Sequence, residues 1–312
     1  MRAATIRDGD VLVEEHPDPE PGAGELLVRV RGAGLNGADI LQRKGRYPAP
    51  PGSPPDIPGL ELAGEVVARG PGAERFDEAD RVMAIVGGGG QAELAVVHER
   101  VAMPVPDPLD WPAAGGFAEV FTTAHDALFT QAGLSPGERL LVHGGAGGVG
   151  TAAVQLGRSS GAAVTATVRR EELREEVQGL GAEVIGSEDF VEHGPFDVIL
   201  ELVGAPNLGP NVKALASGGR IVVIGVGGGA KGELNLVALM GKRGRIQGST
   251  LRARPLEEKA ATARAVERHV LPLVEAGQLR VPITATLGLD DVAEAYERFA
   301  AGGNLGKIVL LP

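Results

Sequence analysis

The stretch LVHGGAGGVGTAAVQ, residues 141–155, decides how the rest of the sequence is interpreted. Five of the nine positions from 144 to 152 are glycine. Glycine loses more conformational freedom on folding than any other residue, so this density requires a structural reason. An apolar run typical of a strand precedes the glycines, and a run typical of a helix begins near Val149. The segment therefore predicts a strand, a tight turn and a helix whose N-terminus can bind an anion.

Gly145, Gly147 and Gly150 stand in G-x-G-x-x-G spacing. In a dinucleotide-binding fold the first glycine permits the tight turn, the second lets a diphosphate approach the main chain, and the third permits close helix–strand packing. The strand–turn–helix context favours such a site over the alternative of a purely structural turn. Gly148 and Val149 are then predicted to contact the diphosphate through their main chain.

After the glycines, short apolar runs alternate with helix-sized segments. Buried runs of this kind indicate a parallel sheet covered by helices, so we expect a doubly wound Rossmann sheet of six strands. The strands after LLVH (140–143) are predicted at 163–168, 182–186, 196–204, 219–226 and 244–250, with helices at 117–133, 173–182 and 257–277. Gly225 falls at the carboxyl end of the fifth strand, where such folds bind ligands.

The first part of the chain has a different pattern. Alternating apolar residues and turn signals predict an antiparallel β domain with strands at 25–35, 60–70, 80–86 and 91–98. The last two are predicted to form a pair that flanks the glycine run 87–90. The six prolines of 46–58 predict a loop. The tail, 290–312, predicts a helix, a turn and a strand that returns to this first domain. We expect one domain over 1–117 and 278–312, and a dinucleotide-binding domain over 118–277.

The end of the second Rossmann strand indicates which dinucleotide is bound. An NAD site usually places an acid there, about 20 residues after the glycines, to hold the ribose hydroxyls. Here the strand ends in Arg169 and Arg170, and the first acid is Glu171. Guanidinium groups suit a 2′-phosphate, so NADPH is predicted. The alternative is that both arginines begin a solvated helix.

Composition excludes several classes of function. The chain has 312 residues and a net charge of −11, which argues against a nucleic-acid surface. No window has the roughly 18–20 apolar residues needed to cross a bilayer, and no signal peptide is apparent at the start of the chain. The lack of cysteine excludes disulfides and thiolate metal ligands and fits a cytoplasmic protein.

An ordered series of segments resembles the zinc-free quinone oxidoreductase group of the medium-chain dehydrogenase/reductase superfamily. The segments are GLNGADILQRKGRYPAPPG (34–52), GLELAGEVVARG (59–70), GGGGQAELAVV (87–97), HGGAGGVGTAAVQL (143–156), GKRGRIQGSTLRAR (241–254) and NLGKIVL (304–310). The proline-rich loop and GSTLRAR most resemble the tumour-suppressor-induced NADPH quinone oxidoreductase subfamily. The family's lysine for the 2′-phosphate falls here at Glu172–Leu173, so Arg169 or Arg170 would have to replace it.

The resemblance implies a GroES-like catalytic domain joined to the Rossmann domain, and NADPH-dependent reduction of quinones or related conjugated carbonyls. Homodimers or homotetramers, often joined through Rossmann edge strands, are usual in such families. The residues that the resemblance places at the active site are Asn36, Asp39, Tyr47 and Thr123, with Leu251 and Asn304 at the coenzyme. The alternatives are a 2-alkenal or enone reductase and a non-catalytic NADPH-binding sensor or structural protein.

No metal site is predicted. Zinc alcohol dehydrogenases of this superfamily carry Cys and His ligands, one of them the His of G-H-E. This chain has Leu60 between Gly59 and Glu61, no cysteine, and six histidines without a recognisable ligand spacing. Without zinc to polarise the acceptor, an intrinsically reducible acceptor such as a quinone is expected.

Overall fold

The computed structural model describes all residues, 1–312, and divides into two compact units. Unit 1 contains 1–122 and 251–312, and unit 2 contains 123–250. The strands are β1 Arg2–Arg7, β2 Asp10–Glu15, β3 Glu25–Gly34, β4 Glu61–Arg69, β5 Arg81–Ile85, β6 Leu94–His98, β7 Met103–Pro104, β8 Arg139–Val142, β9 Ala163–Thr167, β10 Glu183–Ile185, β11 Phe196–Glu201, β12 Leu215–Val223, β13 Arg245–Gly248, β14 Ile283–Gly288 and β15 Lys307–Leu311. The α-helices are α1 Gly37–Arg43, α2 Trp111–Gly115, α3 Ala118–His125, α4 Gly148–Ser159, α5 Arg174–Gly179, α6 Leu208–Ala214, α7 Leu236–Lys242, α8 Leu256–His269, α9 Leu271–Glu275 and α10 Val292–Ala301. No helix has the length and apolar character needed to cross a membrane.

Unit 1 is built on a seven-stranded sheet in the order β14-β15-β3-β4-β5-β7, with β6 also paired to β3. Its pairs are antiparallel except β14 with β15. Alternate residues of β3, such as Leu26, Val28 and Val30, are buried, as the apolar alternation predicted, whereas the first four residues of β4, 61–64, are all buried. The last strand pairs with β3 through Val309 and Gly34, so the predicted return of the tail to the first domain is confirmed.

Unit 2 is a six-stranded parallel sheet in the order β10-β9-β8-β11-β12-β13. The predicted six-stranded Rossmann sheet is therefore confirmed. The order reverses between β8 and β11, and ligands of such sheets bind at the carboxyl ends of the strands beside this switch point. The glycine-rich segment leaves β8 at this edge and enters α4.

Two details of the sheet prediction are wrong. The strands at 80–86 and 91–98 exist but do not pair with each other, since β5 pairs with β4 and β6 pairs with β3. The glycine run 87–90 instead packs along 57–59, where the Gly89 amide donates to the Ile57 carbonyl at 2.9 Å. Strands β1, β2, β7 and β14 were not predicted.

The predicted domain boundary near 277 is also corrected, because residues 251–277 belong to unit 1. Leu256 at the start of α8 packs on the apolar core of unit 1, and Arg264 donates to the carbonyls of Arg100 and Ala102 at 3.2 and 2.6 Å. The single helix predicted over 257–277 is two helices, which meet at Val270 ahead of Pro272.

Candidate functional site

The turn after β8 brings the predicted glycines to the carboxyl end of β9. Gly144 has a φ of +65°, the left-handed region that favours glycine, so it makes the tight turn that was assigned to Gly145. The Gly145 amide donates to the Thr167 carbonyl at 3.0 Å, and the Gly147 amide donates to the Gly144 carbonyl at 3.0 Å. Helix α4 begins at the next residue, close to the predicted start at Val149.

The three glycines of the motif, Gly145, Gly147 and Gly150, differ in how much space surrounds them. A Cβ at Gly150 would clash with the Gly144 carbonyl oxygen, and one at Gly145 would lie 2.8 Å from the Ala166 Cβ. A Cβ at Gly147 would meet nothing nearer than the Gly144 carbonyl oxygen at 3.5 Å. Close packing therefore explains why Gly145 and Gly150 are glycine, whereas Gly147 leaves space open in front of the N-terminus of α4. We call this space, bounded by Gly147 and the first turn of α4, the cradle. It fits the diphosphate of a dinucleotide, which the main-chain N–H groups of the first turn of α4 would hold.

The neighbouring strand ends carry the other predicted coenzyme residues. Arg169 and Arg170 follow β9 and are exposed, and Arg170 Nη1 lies 3.7 Å from Glu172 Oε1. Gly225 follows β12, and its amide donates to the Glu201 carbonyl at 3.1 Å. A Cβ on Gly225 would clash with the Leu202 carbonyl oxygen, so close packing accounts for this glycine.

A buried polar network, not predicted from the sequence, lies beneath the glycine turn. His143 Nδ1 is 3.1 Å from Thr167 Oγ1, and its Nε2 is 2.8 Å from Asn211 Oδ1. Asn211 in turn donates to Glu201 Oε2 at 2.6 Å. Burial lowers the pKa of His143, which favours the neutral imidazole. The network ties together the ends of β8, β9 and β11, and an acid at the end of an otherwise apolar strand is the sequence signal for it.

Unit 1 contains a second buried polar cluster, centred on Lys307. Lys307 Nζ donates to Glu61 Oε1 at 2.7 Å, to Asn36 Oδ1 at 2.7 Å and to the Leu35 carbonyl at 2.6 Å. Glu61 Oε2 accepts from the Glu119 amide at 2.8 Å. The side chains of Lys307 and Glu61 are 2% and 0% exposed, so this ion pair is shielded from water. Neither residue was predicted as part of the site.

The cluster fixes the side-chain amide of Asn36. Its Nδ2 donates to Glu61 Oε1 at 3.0 Å and to the Gly34 carbonyl at 3.2 Å, and its Oδ1 accepts from Lys307. Both donor hydrogens are therefore in use, which leaves only one lone pair of Oδ1 for a ligand. In this geometry Asn36 cannot donate a hydrogen bond to a ligand, whereas its Oδ1 can accept one, for example from a ribose hydroxyl.

Asp39 supports Asn36 from the first turn of α1. Its Oδ2 accepts from the Asn36 amide at 2.8 Å and its Oδ1 from the Gly59 amide at 3.1 Å. Burial raises the pKa of Asp39 to about 6, against the opposing effect of these two N–H groups. Asp39 is fully buried, so the predicted catalytic role is corrected to a supporting one.

The chain matches known proteins along most of its length. Residues 22–107 match the family model "Alcohol dehydrogenase GroES-like domain", and 180–310 match "Zinc-binding dehydrogenase". The quinone oxidoreductase of Homo sapiens is 32% identical over 305 residues, which cover 94% of this chain and 91% of that protein. This chain belongs to the medium-chain dehydrogenase/reductase superfamily. It is an oxidoreductase of that superfamily, whose fold implies a nicotinamide coenzyme.

Solved structures of the superfamily agree with this fold. An NAD-dependent alcohol dehydrogenase superposes with a TM-score of 0.88 at 28% identity, covering 100% of both chains. A thermostable alcohol dehydrogenase from Pyrobaculum aerophilum gives a TM-score of 0.86 at 29% identity, covering 100% of this chain and 99% of that one. The predicted combination of a GroES-like domain with a Rossmann domain is therefore confirmed.

The zinc of some superfamily members does not fit the residues of this chain. No group of three or more His, Cys, Asp or Glu side chains lies where it could hold a metal ion. Glu61, which follows the position of the zinc-ligating His in G-H-E, has both oxygens occupied by Lys307, Asn36 and the Glu119 amide. No step of the reaction is therefore assigned to zinc.

The other residues that the family resemblance placed at the site differ in burial and in contacts. Tyr47 is half-buried in the proline-rich loop, beside the buried Arg252. Thr123 is buried in α3. Leu251 lines a cavity of about 20 Å³ with apolar side chains, Thr122 and Lys259. Asn304 Nδ2 donates to the Arg298 carbonyl at 3.4 Å, at the end of α10.

Proposed function

We propose that this oxidoreductase catalyses zinc-independent, NADPH-dependent reduction of quinones. The observation that carries the proposal is the bonding of Glu61, the residue after the position of the zinc-ligating His in G-H-E: Lys307 and Asn36 donate to its Oε1, and the Glu119 amide donates to its Oε2. A site without a Lewis acid requires an acceptor that is reduced readily, and quinones meet that requirement. The identity to curated quinone oxidoreductases supports the same substrate class.

We assign the coenzyme-binding residues as follows. Main-chain N–H groups of Gly148 and Val149, in the open cradle left by Gly147, hold the diphosphate. When bound, NADPH supplies the hydride that reduces the acceptor. Asn36 accepts a hydrogen bond from the nicotinamide ribose through its remaining lone pair. Thr123, Leu251 and Asn304 contact the nicotinamide end, as the family resemblance implies.

Arg169 and Arg170 are proposed to bind the 2′-phosphate that distinguishes NADPH from NADH. Both side chains are exposed where β9 ends, next to the Thr167 carbonyl that anchors the glycine turn. The double variant Arg169→Ala/Arg170→Ala is expected to weaken NADPH binding about 10-fold or more and to leave NADH binding nearly unchanged. Calorimetric titration measures both affinities, with Arg31→Ala in unit 1 as the control. Equal losses for the two coenzymes would show that neither arginine contacts the phosphate.

A panel of acceptors tests the proposed reaction. We expect 1,4-benzoquinone or 9,10-phenanthrenequinone to give a higher kcat/KM than acrolein, and dialysis against a chelator to leave turnover unchanged. A ranking led by acrolein would favour the enone reductase. NADPH binding without turnover of any acceptor would favour a non-catalytic binding protein, and loss of activity on chelation would contradict zinc independence.

We also propose that the protein is a homodimer joined through unit 2. Strand β13 is the last strand of the six-stranded sheet, so its outer edge has unpaired main-chain groups. Leu236, Val237 and Met240 of the preceding helix α7 are exposed by 64, 78 and 74%. Large apolar side chains grouped on one short helix are typical of a protein–protein interface.

A further inference from the structure

A small cavity of unit 1 contains polar groups that the protein leaves without good partners. The cavity has a volume of about 20 Å³, and a water-sized group needs about 10–15 Å³. Its polar lining consists of Thr122 of α3 and of Lys259 and Thr262 of α8. The rest of its wall is apolar and is formed by Ile85, Val101, Met103, Leu251 and Ala263. The cavity therefore has room for the functional group of a small molecule.

Thr122 provides a buried hydroxyl at this cavity. The residue is 3% exposed, and its Oγ1 has no hydrogen-bond partner within the protein. A threonine in a helix often donates to the carbonyl of the preceding turn, as Thr262 does to the Glu258 carbonyl at 2.8 Å. An unpaired buried hydroxyl is costly, so the Thr122 hydroxyl is available to a ligand that enters the cavity.

Lys259 provides an amine at the same cavity. Its ammonium has three N–H donors, but its only hydrogen bond is a long one, from Nζ to the Arg252 carbonyl at 3.4 Å. The Nζ of Lys259 has no carboxylate within 4.0 Å, whereas the buried Lys307 has Glu61 at 2.7 Å. Burial lowers the pKa of the Lys259 ammonium, which raises the share of free amine near neutral pH. A free lysine amine in apolar surroundings is the form that attacks carbonyl carbons.

We propose that this cavity binds a short aliphatic aldehyde and that Lys259 forms an imine with it. Thr122 Oγ1 donates a hydrogen bond to the aldehyde oxygen, and the apolar wall contacts the alkyl group. The Nζ lone pair forms a bond to the carbonyl carbon as the carbon–oxygen π bond opens. Both protons of the amine move to the oxygen, which leaves as water, and a carbon–nitrogen double bond remains. The step needs no oxidant or reductant, and the site goes beyond the proposed quinone reduction.

The surroundings of Lys259 determine which carbonyl compounds fit. The side chain is only partly buried, so an aldehyde can approach Nζ from water. The volume of the cavity admits the carbonyl end of a short aldehyde and excludes an aromatic ring. The chain has no cysteine, so no thiol competes for the aldehyde. Short aldehydes are therefore the class of ligand to which the cavity is suited.

The first experiment compares lysines within the wild-type protein. Acetaldehyde is added together with cyanoborohydride, which reduces imines to stable amines, and peptide mass spectrometry follows the six lysines of the chain. The exposed Lys44 is the internal reference. We expect Lys259 to be alkylated at least about 10-fold faster than Lys44. Benzaldehyde should show no such preference, because its ring is too large for the cavity. A Lys259 that reacts no faster than Lys44 with acetaldehyde, or that keeps its preference with benzaldehyde, would overturn the proposal.

The second experiment tests the hydroxyl that binds the aldehyde oxygen. We expect Thr122→Val to slow the alkylation of Lys259 by acetaldehyde about 3- to 10-fold, because one hydrogen bond is lost. Thr262→Val is the matched control, since it makes the same change at the same cavity but removes a hydroxyl that already donates to Glu258. Thermal unfolding checks that both variants fold. A wild-type rate in Thr122→Val, or equal slowing by both changes, would contradict the role of Thr122. Neither experiment uses coenzyme or quinone, so their outcome is independent of the proposed function.

Discussion

Lys307 and Glu61 form an ion pair that is closed off from water, with Nζ and Oε1 at 2.7 Å. In such a pair, attraction offsets a large desolvation cost, so removal of one partner leaves a buried charge uncompensated. We expect Lys307→Met to lower the free energy of unfolding by about 3–5 kcal/mol. Urea denaturation measures the loss.

Two further variants separate this effect from a general loss of packing. The double variant Lys307→Met/Glu61→Gln should be more stable than Lys307→Met alone, since it leaves no uncompensated carboxylate at position 61. Arg31→Met removes an exposed pair with Glu65, at 2.7 Å, and should cost less than about 1 kcal/mol. A Lys307→Met protein as stable as the Arg31→Met protein would show that the buried pair contributes little.

Asp39 gives the fold a specific dependence on pH. Burial raises its pKa from 3.8 to about 6, so between these values the folded protein holds a proton that the unfolded chain has released. Its contribution to stability is therefore largest at low pH and falls as the pH rises through about 6. On lowering the pH from 7 to 4, we expect the wild type to gain up to about 3 kcal/mol relative to Asp39→Asn.

The measurement is the free energy of unfolding of both proteins at the two pH values. The control is Asp107→Asn, which makes the same substitution at an exposed position. A wild type that loses stability relative to Asp39→Asn on acidification would mean that Asp39 is ionised favourably in the fold.

Single residues of the site were predictable only in part. Asn36, Asp39 and Tyr47 were predicted because they lie in segments that resemble a family, and their roles in binding and catalysis stay predictions. Lys307 and Arg252 are buried by contacts with residues more than 200 positions away. Such burial of a charge leaves no periodic signal in the sequence around it.

The turn that joins β8 to α4 is the element on which the coenzyme proposal depends. Gly147→Ala places a methyl group in open space, so it should leave the stability unchanged and weaken NADPH binding at least about 10-fold by blocking the diphosphate. Gly150→Ala places one against the Gly144 carbonyl oxygen and should destabilise the fold. Thermal unfolding and calorimetric titration together measure both effects.

Gly147→Ala and Gly150→Ala add the same methyl group and differ only in the space around it. If Gly147→Ala binds NADPH as tightly as the wild type does, the diphosphate does not bind in this cradle. Equal destabilisation by both changes would mean that the space in front of α4 is smaller than the structure shows.

Elements were predicted well where one local pattern determines them. The apolar runs of β8, β9 and β11 are buried almost throughout, and the alternation of such runs with helix-sized segments located all six parallel strands. Strand pairing was harder to predict from the sequence. The glycine run 87–90 was interpreted as the connection between two paired strands, 80–86 and 91–98, whereas it packs along 57–59. Short helices such as α6 and α7 span two turns or fewer, which is too little for a clear 3.6-residue period.

At the scale of the whole molecule, the chain returns to its first unit earlier than its composition indicates. Helices α8 and α9 have the same character as the Rossmann helices, so the sequence placed them in that domain. Contacts of Leu256 and Arg264 with unit 1 decide their actual position. Domain membership of a helix depends on its partner surface, which a single sequence does not reveal.

The exposed face of α7 predicts the oligomeric state. If two copies meet through α7 and β13 about a two-fold axis, the same surface of each copy lies in the interface. A negative charge introduced on α7 then appears on both sides of the interface, and the two charges repel each other. We expect the wild type to sediment as a dimer and Val237→Glu/Met240→Glu as a folded monomer. Leu12→Glu alters another exposed apolar residue, 49% exposed on β2 of unit 1, and should remain a dimer. Sedimentation velocity distinguishes these outcomes. A monomeric wild type, or a double variant that still dimerises, would exclude α7 as the interface, and the apolar face of this helix would then require a different partner.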